Sequence, residues 1–160
     1  KNLGGEGSVE MQASDNQVSF EFSDLLIVSK LIEGTYPNYM QVVPSQCEER
    51  ISIERELLFT AVRRVSLLAT DKSNSVRLSF LPNQIEVSAV SPQVGEALEI
   101  IPVKYKGKKI SIAFNPEFLL DPLRNITSDE VAIEMTDDLS PGVLKCDLPF
   151  VYVLMPMRIS

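Results

Sequence analysis

The chain has 160 residues, of which 44% are hydrophobic and 23% are charged, as is ordinary for one globular domain or for one domain plus part of another. It contains no histidine, which excludes Ser-His and Cys-His nucleophiles and His-ligated zinc within this chain. The net charge of −7 argues against nucleic-acid binding over the whole surface, although a local basic patch can still face DNA.

Signals for export or membrane insertion are missing from the sequence. The first ten residues lack the basic start and apolar core of a signal peptide, and no run of about 18 uncharged apolar residues occurs. We therefore expect a cytoplasmic protein with no membrane partner, in which Cys47 and Cys146 are reduced thiols. No Cys-x-x-Cys spacing occurs, and we expect no metal and no cofactor.

Alternation of apolar and polar residues predicts β-strands over most of the chain. The first two strands are predicted at 16–22 and 25–32, and Pro82-Asn83 predicts a turn. The remaining predicted strands are 76–80, 85–89, 96–103, 110–114, 130–135, 142–147 and 150–155.

Two segments break the alternation and predict helices. The segment Glu54 to Ala69 carries an apolar stripe at helical spacing, formed by Leu57, Ala61, Val65 and Leu68. The second helix begins with Asn115 as N-cap and Pro116 in the first helical position. Pro122 predicts that this helix is short or kinked.

The order of these elements indicates an internal duplication. Strand, helix and three strands occur twice after the irregular stretch from Gly34 to Cys47, which predicts one duplicated domain of about 115 residues. We assign residues 45–160 to this domain and residues 1–44 to the closing hairpin and linker of an incomplete preceding domain. Two strands cannot bury a core by themselves, so we expect a longer parent protein.

The end of the chain is unusually apolar. Residues Val151 to Ser160 include six aliphatic or Met residues, whereas chain ends are usually polar. Pro156 cannot donate a ladder hydrogen bond, so strand pairing should stop there. The pattern fits either a last core strand or a groove wall in which flexible Met side chains accept ligands.

Four motifs in order identify a family. They are Thr35-Tyr36-Pro37-Asn38-Tyr39, Ser66-Leu67-Leu68-Ala69, the stretch from Phe114 to Asp121, and Met155-Pro156-Met157-Arg158. The whole chain thereby resembles the bacterial DNA polymerase III beta subunit family, the sliding clamps. The resemblance implies an α+β DNA-clamp fold of internally duplicated βαβββ units, with two helices packed on antiparallel sheets.

The same resemblance implies a function without catalysis. Family members are processivity factors of DNA replication. They form head-to-tail homodimer rings that encircle duplex DNA without reading its sequence. They tether polymerase, clamp loader and repair factors through a hydrophobic pocket for short peptides. Because the ring needs domains that this chain lacks, we expect the chain alone not to close one.

The resemblance also implies three groups of site residues. The partner-peptide pocket would comprise Pro37, Val42, Asn115, Phe118, Leu139, Val153, Leu154, Met155, Pro156, Met157 and Arg158. The DNA-facing residues would be Arg55, Arg63, Arg64 and Arg124, and the dimer interface would include Leu67, Leu68, Glu96 and Glu99. Gln41 replaces a basic residue of some members, and Phe118 replaces a common Tyr and lacks its hydroxyl. Val153 and Leu154 could equally be core, and exposed arginines could be only a solvated helix face.

Two other functions remain open at this point. One is a magnesium-dependent nucleotidyl-transfer enzyme or nuclease that uses Asp121, Asp137 and Asp138, although adjacent acids in Thr-Asp-Asp-Leu-Ser-Pro are more typical of a turn. The other is a non-catalytic β-rich scaffold or adhesion module, which gives no reason for the apolar tail.

Overall fold

The computed structural model describes residues 8–36, 38–69 and 75–158. Contacts divide the chain into two compact units, Lys1–Asn38 and Tyr39–Ser160. Each unit is considered by itself. The assignment of residues 1–44 and 45–160 to two domains stays a prediction.

The first unit contains an antiparallel sheet, which we call sheet I, in the order β1-β2-β3. Its strands are β1 (Glu10–Ala13), β2 (Gln17–Phe22) and β3 (Leu25–Lys30). The two predicted strands are confirmed, but β1 was missed because its four exposed residues alternate too briefly to stand out.

The second unit repeats one order of elements twice. The first half contains β4 (Glu49–Glu54), α1 (Arg55–Val65), β5 (Val76–Leu81), β6 (Gln84–Ser91) and β7 (Gly95–Pro102). The second half contains β8 (Ile110–Phe114), α2 (Pro116–Asn125), β9 (Glu130–Met135), β10 (Gly142–Lys145) and β11 (Val151–Leu154). The predicted α+β fold with duplicated βαβββ units is therefore confirmed.

The two halves interlock by exchanging their first strands. Sheet II has the order β11-β10-β9-β4, and sheet III has the order β7-β6-β5-β8, with every pairing antiparallel. Strand β4 of the first half thus completes the sheet of the second half, and β8 does the converse. Neither half can form its four-stranded sheet alone.

Helix α1 buries Ala61 and Val65 of the predicted stripe, but Leu58 takes the core position predicted for Leu57. Leu58, Ala61, Val62 and Val65 are buried, whereas Leu57 is 44% exposed. The prediction for Leu57 was wrong because Leu57 and Leu58 are adjacent and equally apolar, so spacing alone cannot choose between them. The α-helix also ends earlier than predicted, at Val65. A 3₁₀ turn (Ser66–Leu68) follows, and Ala69 is extended.

Helix α2 begins as the sequence predicts. The Asn115 side-chain oxygen accepts a hydrogen bond from the Glu117 N–H at 3.0 Å, and Pro116 occupies the first turn. Pro122 lies inside the helix, which ends after ten residues. Helices α1 and α2 pack against each other. Neither helix of the described chain is long and apolar enough to cross a membrane.

The turn between β5 and β6 is also as predicted. Leu81 pairs with Gln84, so Pro82 and Asn83 form a two-residue hairpin turn. Asn83 has φ of 63°, a conformation that Asn tolerates better than most residues.

Candidate functional site

The final strand separates core residues from surface residues by alternation. Leu154 is only 2% exposed within the core, and Phe150 and Tyr152 pack partly against the same core. Strand pairing ends with Leu154 opposite Gly142, before Pro156, as Pro predicts. Beyond that pair, Met155 is 61% exposed. Leu154 is therefore structural, and the surface begins with Met155.

The segment Met155–Arg158, which we call the tail, bridges two sheets. It leaves β11, the edge of sheet II, and the Met157 N–H donates to the Ala113 carbonyl on β8, the edge of sheet III, at 2.7 Å. This bond fixes the tail backbone beside the end of β8. The Met157 side chain remains 38% exposed.

A second segment is fixed close by through one carboxylate. Asp137 accepts hydrogen bonds from the N–H groups of Leu139 at 2.9 Å and Ser140 at 2.6 Å, and from the Ser140 hydroxyl at 3.0 Å. These bonds to the charged form lower the pKa of Asp137 from its ordinary value of 3.8, the largest effect coming from Leu139. The loop that carries Leu139 is thereby held in one conformation.

The tail and this loop line the same cavity. A surface cavity of about 280 Å³, which we call the tail cavity, has seven lining residues: Arg77, Ser111, Ala113, Asp138, Leu139, Met157 and Arg158. Three of them, Leu139, Met157 and Arg158, belong to the predicted peptide pocket. The structure therefore brings together residues that lie about twenty positions apart in sequence.

The N-terminus of α2 lies directly after the strand that forms the cavity wall. Asn115 follows Phe114, the last residue of β8. Gly142, at the end of the loop that carries Leu139, packs closely on the Phe114 ring, because a Cβ added to this glycine would lie 3.1 Å from that ring. Phe118, in the first turn of α2, is 55% exposed. Strand β11 contacts this helix, and burial first, and then the Asp121 carboxylate of α2, raise the pKa of Tyr152 on that strand.

The other predicted pocket residues that the structure describes are not among the residues that line this cavity. Pro37 lies outside the described residues. Val42 is 44% exposed after the 3₁₀ turn Tyr39–Gln41 and does not line the tail cavity. Val153 is partly buried on β11, and Pro156 is partly buried in the tail.

Four cavity residues were not predicted as pocket residues. Alternation along β5 and β8 could have placed Arg77, Ser111 and Ala113 on the outer face of sheet III, because each lies between buried neighbours. No sequence signal indicated that the tail would cross β8 there. The sequence suggests Asp138 only as a metal ligand of the enzyme alternative. Within the described ranges, no group of three His, Cys, Asp or Glu residues could hold a metal ion.

The candidate DNA-facing arginines have different surroundings. The Arg55 guanidinium donates to the carbonyls of Leu123 at 3.0 Å and Ser128 at 3.1 Å, which ties α1 to the end of α2. Arg64 pairs with Glu99 at 3.3 Å, and Arg124 pairs with Asp121 at 3.0 Å and Glu117 at 3.4 Å. In the described part of the chain, Arg63 is exposed and has no such bond from its side chain.

The candidate interface residues surround one sheet edge. Leu67 is 82% exposed, whereas Leu68 packs partly against the core. Glu96 and Glu99 lie on β7, the edge strand of sheet III. Leu98 and Ile100 of the same strand are 56% and 55% exposed and were not predicted.

These observations define a class of protein: an α+β domain of two interlocked βαβββ halves, with a small cavity where the tail meets a sheet edge. Residues 40–158 match the family described as DNA polymerase III beta subunit, C-terminal domain. The chain belongs to this family, the bacterial sliding clamps.

Relatives and solved structures agree with that assignment. The chain is 30% identical to the beta sliding clamp of Chlamydia pneumoniae over 99% of its own length and 43% of that relative. It is 33% identical to the beta sliding clamp of Caulobacter vibrioides, covering 95% of this chain and 41% of the relative. It is also similar to the sliding clamp (DNA polymerase III subunit beta) structure of Bartonella birtlesii, with a TM-score of 0.81 and 28% identity over 96% of this chain and 42% of that one. The chain thus spans less than half the length of these relatives, and the predicted clamp fold is confirmed.

Proposed function

We propose that the chain is part of a sliding clamp, a non-catalytic processivity factor of DNA replication. In this proposal, residues 45–160 are the third clamp domain and residues 1–44 are the end of the second. The complete protein encircles duplex DNA in the cytoplasm as a homodimer ring and tethers polymerase, clamp loader and repair factors. The family assignment and the names of the relatives, beta sliding clamps, support this role.

The observation that carries the proposal is the convergence at the tail cavity. Leu139, Met157 and Arg158 reach one cavity from two segments, and each segment is fixed by its own hydrogen bonds. Exposed Phe118, four residues after the end of β8, and exposed Met155, two residues before the tail's bond to Ala113, provide further apolar surface. A few apolar anchors of a peptide, seated on such a surface, supply most of the affinity of this kind of complex.

A binding experiment with a matched control tests this assignment. A labelled polymerase-tail peptide is titrated against the chain, against Met155→Ala and Met157→Ala, and against Met11→Ala. Met11 is 63% exposed in sheet I, close to the 61% of Met155, so it controls for loss of an exposed Met. We expect the two tail variants to weaken binding and Met11→Ala to leave it unchanged. Equal binding by all four proteins would rule out the tail as the binding site.

DNA contact is proposed for the exposed face of the helices, and Arg63 is its best candidate. Arg55, Arg64 and Arg124 already bond to groups of this chain. Breaking these bonds would cost part of the free energy that a contact with a DNA phosphate supplies. A phosphate contact gives affinity without reading sequence, which is what sliding requires. The acidic edge around β7, with Leu67 beside it, is proposed as the surface that meets the partner subunit in the ring.

A further inference from the structure

The arginines of this chain fall into two groups by their partners. Four of the seven, Arg50, Arg55, Arg64 and Arg124, bond to carboxylates or carbonyls of the chain itself. Within the described ranges, the side chains of Arg63, Arg77 and Arg158 have no such bonds. Two of these three, Arg77 and Arg158, line the same tail cavity. In a chain of net charge −7, this is an unusual concentration of unpaired positive charge.

Strand register explains why the two guanidinium groups share the cavity. Arg77 on β5 stands directly opposite Ala113 on β8, so their Cβ atoms are neighbours on the outer face of sheet III. The tail is bonded to Ala113 through the Met157 N–H, and Arg158 follows immediately. The small side chain of Ala113 therefore separates two arginines that lie 81 positions apart in the chain.

The remaining polar lining adds a hydroxyl donor and one acid. The Ser79 and Ser111 hydroxyls lie 3.0 Å apart, and only Ser111 lines the cavity, so Ser111 keeps a proton for a ligand when Ser79 donates this bond. Asp138 is the only acid of the lining, so the two arginines leave the cavity with a net charge of +1. A cavity of guanidinium and hydroxyl donors suits a ligand that only accepts hydrogen bonds.

We propose that the tail cavity binds a carboxylate of the docked partner peptide, with Arg77 as the specificity-determining residue. The inference rests on the proposed peptide-binding function and extends it. Leu139 and Met157 contact the apolar part of the peptide, while Arg77 and Arg158 pair with an acidic side chain beside it or with the C-terminal carboxylate. The site selects among partners by charge, in addition to the apolar anchors.

The test uses the full chain and the labelled polymerase-tail peptide. Each position that flanks the apolar anchors is replaced in turn by Glu or by Gln, and each peptide is made with a free or an amidated C-terminus. Because both arginines are exposed, we expect Glu at one position, or the free C-terminus, to bind about fivefold tighter than its neutral counterpart. Added salt should reduce this preference.

Variants of the chain locate the effect. The preference should disappear in Arg77→Gln, be partly kept in Arg77→Lys, and be unchanged in Lys106→Gln, which removes one exposed positive charge elsewhere. A preference for Glu over Gln identifies an acidic side chain as the source of the carboxylate. A preference for the free over the amidated peptide identifies the C-terminus. Binding without any preference, or a preference that persists in Arg77→Gln, overturns the carboxylate site while leaving the peptide pocket standing. Failure of every peptide to bind overturns both.

Discussion

Leu154 and Met155 are adjacent, yet the structure gives them opposite environments, so replacing each by alanine separates structure from binding. Leu154 is 2% exposed in the core of the second unit, and Met155 is 61% exposed. Removing three buried carbon groups from Leu154 costs about 2.4 kcal/mol in lost transfer free energy. The cavity left behind raises the expected loss in the free energy of unfolding to about 3 kcal/mol.

Met155→Ala should behave in the opposite way. Substitution of an exposed side chain changes the free energy of unfolding by about 0.5 kcal/mol or less. Loss of an apolar anchor should weaken binding of a polymerase-tail peptide by about tenfold. Leu154→Ala, measured in conditions where it stays folded, should bind the peptide nearly as well as the parent chain.

Two measurements check this pair of expectations. Urea unfolding followed by circular dichroism gives the change in unfolding free energy, and fluorescence anisotropy of the labelled peptide gives the affinity. The reasoning fails if Met155→Ala destabilises the fold as much as Leu154→Ala does. It also fails if Leu154→Ala abolishes binding while Met155→Ala has no effect, since the two roles would then be reversed.

Three further predictions concern other groups. Asp137→Ala should release the loop that carries Leu139 and weaken peptide binding. In the parent chain, the pKa of Asp137 is lowered, so the hydrogen bonds that hold the loop are intact at neutral pH and are lost only as pH falls below about 4. A titration of peptide binding against pH would show this loss. Burial, followed by the hydrogen bond to Glu49, raises the pKa of Tyr105 to about 12. Since the folded state holds this proton more tightly, stability should fall as pH rises from about 10 to 12. Tyr105→Phe should remove much of that fall in alkaline urea titrations, and an unchanged profile would contradict the assignment. Arg63→Ala, made in the complete clamp, should weaken non-specific DNA binding and reduce its salt dependence, whereas an unchanged salt dependence would exclude a phosphate contact.

The duplicated fold could be predicted because its signals are local. Alternation in strands such as β5 and β8, the Asn115 cap and the Pro82-Asn83 turn each depend on residues close in sequence. The exchange of β4 and β8 between sheets could not be read from these signals. It depends on which strand edges meet across the whole unit, and the alternation of a strand is the same whichever sheet it joins.

The candidate site was only partly predictable for a related reason. The apolar tail and the stop at Pro156 were visible in sequence, and the resemblance supplied Leu139 as a third element. The crossing of the tail over β8 depends on the bond from the Met157 N–H to the Ala113 carbonyl, between residues 44 positions apart. Arg77 therefore looked like an ordinary outward-facing strand residue, and its place in the cavity became visible only when the two sheet edges were seen together.

Mapping peptide binding by nuclear magnetic resonance tests the central claim most directly, because it locates even weak binding on the surface. The polymerase-tail peptide is titrated into the ¹⁵N-labelled chain, and amide shifts are followed. The account predicts that the largest shifts cluster at Ala113, Asn115, Leu139 and Met157, around the tail cavity. Shifts centred on β7 or on sheet I, with the tail unaffected, would contradict it.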